Sequence, residues 1–158
     1  MRNSGFLAIG HLRETRSPHV LLVEDDDDLR ALLAMVLRSD GCEVFESPEG
    51  AGACTLIAQH AGEGSPVAPF DLVVCDLLMP GGSGIDVLQC LQAAGWRLPV
   101  IVVTATQDEA LWASARRLGA AALFRKPFEL DDLRLAVLNL LPQSKYSSPE
   151  DRYHLARS

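Results

Sequence analysis

The amino-acid sequence predicts a three-layer α/β domain in which a parallel β-sheet lies between two layers of helices. Short apolar runs and amphipathic segments alternate five times along the 158 residues, and this alternation is typical of parallel strands joined by crossover helices. The apolar runs lack the polar alternation of a half-exposed strand, so they indicate strands buried on both faces. The amphipathic segments repeat apolar residues at offsets of three and four, which indicates helices with one apolar face.

The first half of the chain carries three predicted strands, over residues 20–25, 43–46 and 70–76. The first helix follows Asp25 and ends at Gly41. Its predicted inward face consists of Leu29, Leu32, Leu33, Val36 and Leu37. Pro48 opens a second helix with Leu56 and Ile57 inward, and a Gly/Pro-rich loop over residues 62–69 leads to the third strand.

The second half repeats the pattern with three helices and two strands. Ser83 or Gly82 caps the third helix, the fourth spans residues 107–118, and Pro142 ends the fifth. The apolar positions of the third and fifth helices are Ile85, Leu88 and Leu91, then Leu130, Leu133, Val137, Leu140 and Leu141. The two strands run over residues 100–105 and 123–128.

Composition limits the classes of function. The net charge is −7 and the pI about 5.0, which argues against sequence-independent nucleic-acid binding because that requires a basic surface. No uninterrupted apolar stretch approaches the ~18 residues of a transmembrane helix. We interpret residues 19–142 as the domain, residues 1–18 as a mobile tail and residues 143–158 as a polar, disordered tail.

The four cysteines form no C-x-x-C pair and no cluster with zinc spacing. They are Cys42, Cys54, Cys75 and Cys90. Three of them lie in apolar periodic segments. We therefore expect small buried side chains in a reducing compartment.

The residues that end the predicted strands carry the chemistry. Glu24 and Asp25 follow the first strand, Asp76 ends the third, Thr104 ends the fourth and Lys126 ends the fifth. The tips of parallel strands meet at the sheet edge where open α/β sheets bind their ligands. Three carboxylates there would repel one another by about 4 kcal/mol per pair at 4 Å for an effective dielectric of 20. They therefore require a cation, and all-oxygen ligands favour Mg²⁺.

Five motifs in this order resemble the receiver domain of two-component response regulators. They are Glu24-Asp25, Asp76-x-x-Met79-Pro80-Gly81-x-x-Gly84, Thr104-Ala105, Lys126 and Pro127. The similarity runs from about His19 to Pro142. It implies a flavodoxin-like, doubly wound sheet of five parallel strands in the order 2-1-3-4-5.

The resemblance also implies a role for each site residue. Asp76 would accept a phosphoryl group in a Mg²⁺-dependent reaction, with Glu24, Asp25, Asp76 and the backbone carbonyl of Leu78 as metal ligands. Lys126 would pair with Asp76 and then with a phosphoryl oxygen, aimed by a cis bond to Pro127. The hydroxyl of Thr104 would bond to the phosphoryl group. The signal would be a conformational shift of the face formed by the fourth helix, fifth strand and fifth helix.

The partners implied are a sensor histidine kinase or a phosphotransfer protein, and then an output protein or a second copy of the chain. Direct binding to nucleic acid or membrane is not expected, and the location implied is the cytoplasm. Such a domain is a phosphoacceptor that promotes its own phosphorylation and dephosphorylation rather than an enzyme. Because no DNA-binding domain follows Pro142, a stand-alone regulator or phosphorelay shuttle is favoured, with a fragment of a longer regulator as the alternative.

Two other functions stay open at this point. A Mg²⁺-dependent phosphohydrolase also uses a nucleophilic aspartate, but it usually carries a second acid two residues later, where this chain has Leu78. A degenerate receiver would act unphosphorylated as a docking module. The complete set of acids, threonine and lysine argues against it. Leu123 keeps this alternative in view, because receivers usually carry an aromatic switch residue at that position.

Overall fold

The computed structural model of the protein describes residues 16–62 and 67–142. Within these residues five strands form one sheet. The strands are β1 (His19–Val23), β2 (Glu43–Ser47), β3 (Leu72–Cys75), β4 (Val100–Thr104) and β5 (Ala122–Arg125). The helices are α1 (Asp27–Ser39), α2 (Gly50–Gly62), α3 (Gly84–Ala93), α4 (Glu109–Arg117) and α5 (Leu130–Leu140).

The sheet topology confirms the predicted fold class. All neighbouring strands are parallel and their order is β2-β1-β3-β4-β5. In the register, Val23 lies opposite Cys75 and Cys75 lies opposite Val102. The residues that follow β1 and β3 therefore leave the sheet side by side at one edge.

Each face of the sheet packs against its own layer of helices. Leu21, Val73 and Val102 point toward α2, α3 and α4, where Ile57, Leu88 and Ala115 meet them. Leu22, Val74 and Ile101 point the opposite way, toward Leu33 of α1 and Val137 of α5. β3 and β4 are buried throughout and β1 is buried from Val20 to Val23, which explains their uninterrupted apolar sequence.

Capping residues set the starts of three helices. Asp26 is the N-cap of α1 and accepts from the backbone N–H of Leu29 at 2.9 Å, so only Asp27 and Asp28 lie in the first turn. Ser83 caps α3 with a capping box completed by Asp86, as one of the two sequence-based alternatives had it. Asp108 caps α4, so this helix begins two residues later than predicted.

Two sequence-based expectations were wrong. Leu32 was assigned to the inward face of α1, but its side chain is 43% exposed, because α1 buries the narrower stripe of Leu33, Ala34 and Leu37. The cysteines were expected to be small buried side chains, which holds for Cys42 and Cys75, but Cys54 of α2 and Cys90 of α3 are half-buried and form a disulfide. Their 36-residue separation gives no local signal, and they meet because α2 and α3 pack side by side.

The described residues include no helix with the length and apolar character needed to cross a bilayer. The two predicted tails fall almost entirely outside the described residues, which leave out 1–15 and 143–158.

Candidate functional site

The acidic residues predicted at the strand tips come together at the carboxyl edge of the sheet. Carboxylate oxygens of Glu24, Asp25 and Asp76 all lie within 4.8 Å of one another. Glu24 is fully buried and Asp76 is 4% exposed, whereas Asp25 is exposed to solvent. The site therefore has a buried base of two carboxylates and an open side where Asp25 lies.

Lys126 bridges the two buried carboxylates. Its Nζ donates to Oδ2 of Asp76 at 2.6 Å and to both carboxylate oxygens of Glu24 at 2.9 Å. The backbone N–H of Lys126 donates to the carbonyl oxygen of Thr104 at 2.9 Å, and the Lys126–Pro127 peptide bond is cis. Lysine from β5 thus reaches across to acids that follow β1 and β3.

One ammonium group lies in a cluster of three carboxylates, and burial is the largest single influence on the pKa values of Glu24 and Lys126. Burial raises the pKa of Glu24, and the hydrogen bonds and charge of Lys126 oppose this only in part. Burial alone would lower the pKa of Lys126, but its hydrogen bonds to Asp76 and Glu24 outweigh burial and raise it. Ionisation of Glu24 is therefore less favourable in the folded protein than in the unfolded chain. An additional hard cation with oxygen ligands, such as Mg²⁺, fits this donor set.

We expect Glu24→Gln to stabilise the metal-free protein at neutral pH. A folded-state pKa above the unfolded value means that ionisation of Glu24 disfavours folding at neutral pH, and a neutral amide removes that cost. The free energy of unfolding should rise by about 1 kcal/mol, the usual scale of one substitution, while the stabilisation gained from added Mg²⁺ should shrink. Thermal unfolding with and without Mg²⁺ measures both effects. Glu109→Gln, at an exposed acid of α4, is the control. A lower melting temperature for metal-free Glu24→Gln would contradict the expectation.

Thr104 lies at the same edge, but its hydroxyl bonds within the loop after β4. Thr104 is fully buried, and its Oγ1 accepts from the backbone N–H of Thr106 at 3.3 Å. The carbonyl oxygen of Thr106 in turn accepts from the indole Nε1 of Trp112 at 3.0 Å. The guanidinium of Arg125 lies 5.4 Å from the centre of the Trp112 ring, within the range of a cation–π contact. A chain of contacts therefore runs from Thr104 to the surface of α4 and β5.

Leu78 contributes to the site through its backbone. Its N–H donates to Oδ1 of Asp76 at 3.0 Å, which leaves Oδ2 to Lys126. The side chain of Leu78 is 51% exposed and offers no acid, which again argues against a phosphohydrolase. Coordination of a metal by the Leu78 carbonyl stays a prediction.

Sequence reasoning missed two residues that shape this site. Arg30 donates to the backbone carbonyl of Glu24 at 2.8 Å and to Asp27 at 2.7 Å, so it holds the turn between β1 and α1. Trp112 donates to the carbonyl oxygen of Thr106, and its position in the sequence does not predict this bond. The three bonds leave no clear signal in the sequence, because the turns of α1 and α4 bring the partners together.

Comparison with known protein families identifies the family of the chain that carries this acidic site. The family described as "Response regulator receiver domain" matches residues 20–138. The chain belongs to this family. The match includes Glu24, Asp25, Asp76, Thr104 and Lys126, and it favours a receiver over a phosphohydrolase or a degenerate docking module.

Individual relatives agree with the family match. The chain is 30% identical over 123 residues to sporulation initiation phosphotransferase F of Bacillus subtilis, covering 78% of this chain and 93% of that protein. It is 33% identical over 130 residues to Regulator of RpoS of Escherichia coli, covering 82% of this chain but only 36% of that protein. Among solved structures, the signal receiver domain of a putative LuxO repressor from Vibrio parahaemolyticus superposes with a TM-score of 0.69. It is 28% identical and covers 82% of this chain and 93% of that one.

Proposed function

We propose that this receiver takes a phosphoryl group onto Asp76 from a phosphohistidine of a sensor histidine kinase or phosphotransfer protein. The observation that carries the proposal is the contact of Lys126 with both Asp76 and Glu24, at 2.6 and 2.9 Å, within a cluster of three acids. Phosphoryl transfer depends mainly on positioning and charge neutralisation. This cluster offers a placed carboxylate, a placed ammonium and a cation site.

Mg²⁺ would be held by Glu24, Asp25 and Asp76, with the carbonyl of Leu78 as a further ligand. When bound, the metal supplies positive charge to the phosphoryl oxygens. Asp25 is exposed, so the metal side of the site is open to solvent and to a phosphodonor.

Asp76 acts as the nucleophile in this proposal. A carboxylate oxygen forms the new bond to phosphorus while the bond between phosphorus and the imidazole nitrogen breaks, and the electron pair of that bond stays on the imidazole. The Leu78 N–H orients Asp76 through Oδ1. Lys126 then exchanges its contact with Oδ2 for one with a phosphoryl oxygen, and the Thr104 hydroxyl leaves Thr106 to bond the same group.

The phosphodonor docks beside Lys126. A shallow apolar groove there is lined by Leu29, Leu32, Pro127, Phe128 and Leu130. The exposure of Leu32, wrongly expected in the core, suits a groove that receives the apolar face of a helix carrying the phosphohistidine.

The readout travels through Thr106 and Trp112 to α4, β5 and α5. If Thr104 turns toward the phosphoryl group, Thr106 loses its hydrogen bond to that hydroxyl, and the indole of Trp112 follows the Thr106 carbonyl. Leu123 packs against the core beside these helices and has no polar tip to report the movement. An output protein or a second copy of the chain would recognise the altered face.

The remaining parts of the proposal concern the setting of the domain. It works in the cytoplasm with its kinase and does not bind nucleic acid or membrane directly, in keeping with its net charge of −7. It serves as a phosphoacceptor rather than as an enzyme with a separate substrate. Residues 19–142 form the domain.

Mass spectrometry after incubation with acetyl phosphate tests the function. We expect one added phosphoryl group in the presence of Mg²⁺, none in excess chelator, and loss of the group in hydroxylamine, which cleaves acyl phosphates. The absence of any adduct with Mg²⁺, or an adduct that survives hydroxylamine, would remove the basis of the proposal.

The phosphorylated state should be long-lived, with a lifetime on the order of tens of minutes or more. Hydrolysis needs a water placed in line with phosphorus, and the side chain of Leu78 cannot hydrogen-bond such a water. Leu78→Asn supplies a carboxamide and should speed the decay by about tenfold or more, equivalent to about 1.4 kcal/mol of positioning. Decay of the phosphorylated protein at 25 °C checks this, with Met35→Asn as a control at an exposed apolar residue of α1 outside the acidic cluster. Decay of the wild type within seconds, or no acceleration in Leu78→Asn, would show that Leu78 does not protect the phosphoryl group.

A further inference from the structure

The disulfide between Cys54 and Cys90 connects two helices that start against the phosphoacceptor loop. The two Cα atoms are 5.7 Å apart, within the usual range for a disulfide, and both residues are half-buried. The other two cysteines, Cys42 and Cys75, are buried and take no part in a disulfide.

The thiol of Cys75 is unsuited to redox chemistry. Burial, together with the negative charges of Asp76 and Glu24, raises the pKa of Cys75 to about 12. Cys75 is also fully buried, so small thiols and disulfides cannot reach it although it lies next to the site. Cys54 and Cys90 border a shallow apolar groove lined by Ile57, Ala58, Ala61, Ala93 and Ala94. Small thiols can therefore approach this pair and not Cys75.

Both crosslinked helices are anchored on the loop between β3 and α3. A Cβ atom added to Gly50, the first residue of α2, would lie 2.5 Å from the carbonyl oxygen of Gly82. A Cβ atom added to Gly84, the first residue of α3, would collide with the backbone carbonyl of Asp76. The start of each helix thus touches the loop that follows Asp76, and Sγ of Cys54 lies 3.5 Å from the carbonyl oxygen of Asp86 in the first turn of α3.

We propose that Cys54 and Cys90 are a reversible redox site whose oxidation locks α2 to α3 and restrains the loop after Asp76. The oxidant is a low-molecular-weight disulfide. The Cys54 thiolate or the Cys90 thiolate attacks it and releases one small thiol, and the second cysteine displaces the other small thiol. Two protein thiols are oxidised to one disulfide, and one small disulfide is reduced to two thiols. In a reducing compartment a disulfide of this kind is a redox sensor rather than a permanent staple.

The chemistry of the pair is independent of the proposed phosphotransfer. Formation of the disulfide restricts the relative motion of the N-termini of α2 and α3. We expect this to restrain the loop of residues 77–83, which both N-termini contact. We therefore expect slower amide hydrogen exchange in that loop in the oxidised protein than in the reduced protein. The exchange of α5, which packs on the opposite face of the sheet, should change little and serves as the internal control.

The test equilibrates the full chain in glutathione buffers of graded redox ratio, followed by maleimide labelling of the folded protein and peptide mass spectrometry. We expect labels on Cys54 and Cys90 in reducing buffer, a linked Cys54–Cys90 peptide in oxidising buffer, and no labelling of Cys42 or Cys75 until the protein is unfolded. The oxidised form should melt about 10 °C higher, from closure of a loop with a 36-residue separation.

The double variant Cys54→Ser/Cys90→Ser should melt at one temperature across the same buffers. If Cys54 and Cys90 stay oxidised at every redox ratio, their disulfide is permanent. If both thiols stay reduced at every ratio, the disulfide does not form. Either result overturns the proposal. Equal loop exchange in the two redox states would overturn its conformational part. None of these outcomes depends on whether Asp76 is phosphorylated.

Discussion

Asp76→Asn should abolish phosphoryl incorporation from acetyl phosphate. The substitution keeps the size of the side chain but replaces the nucleophilic carboxylate oxygen, and it removes one of the two carboxylates paired with Lys126. Among residues 16–62 and 67–142, no other acid at this edge has the same placement, because Glu24 is held by two bonds from Lys126 and Asp25 faces solvent. Intact-protein mass spectrometry after incubation with Mg²⁺ gives the result directly.

Asp28→Asn is the matched control, since Asp28 is an exposed acid in the first turn of α1. It should take up one phosphoryl group as the wild type does. If Asp76→Asn still gains a hydroxylamine-labile group, the acceptor is another residue. If neither variant takes up a phosphoryl group, loss of folding is the cause to test. Circular dichroism distinguishes loss of folding from loss of the acceptor.

The sequence predicts the sheet and its chemical edge because both depend on strong local patterns. Central strands such as β3 and β4 are buried on both faces, so they read as continuous apolar runs. The polar residues that end those runs must leave the sheet at one edge once the strands are parallel. The sequence alone therefore predicts that Glu24, Asp76 and Lys126 lie together. In the structure, Nζ of Lys126 contacts the carboxylates of both acids.

Features that depend on how one helix packs beside another could not be predicted in this way. Leu32 matches the apolar period of α1, yet it lies outside the narrow stripe that the sheet covers. Cys54 and Cys90 lie on separate helices, and only the packing of α2 on α3 decides that they meet. The bond from Trp112 to Thr106 likewise depends on where α4 begins, which Asp108 sets by capping.

Loss of the metal site should be separable from loss of the fold. Glu24 and Asp76 both belong to the buried ion cluster with Lys126, so changing either one alters packing and charge together. Asp25 offers the third carboxylate of the cluster but is exposed to solvent. Its removal should therefore leave the melting temperature of the metal-free protein nearly unchanged, as is usual for surface positions.

Asp25→Ala should weaken Mg²⁺ binding by about tenfold or more, equivalent to about 1.4 kcal/mol, and should abolish detectable phosphorylation by acetyl phosphate. The wild-type affinity should be weak, with a Kd of about 1 mM, because Mg²⁺ at such an open site keeps several of its waters. Calorimetric titration with Mg²⁺ measures the affinity, and Asp28→Ala is the control that removes an acid from the same helix start without touching the cluster. Undiminished phosphorylation of Asp25→Ala, or of the wild type in excess chelator, would show that the reaction does not use this metal site. If Asp28→Ala loses as much Mg²⁺ affinity and phosphorylation as Asp25→Ala, general surface charge explains the effect, because any acid near the edge would then serve equally well.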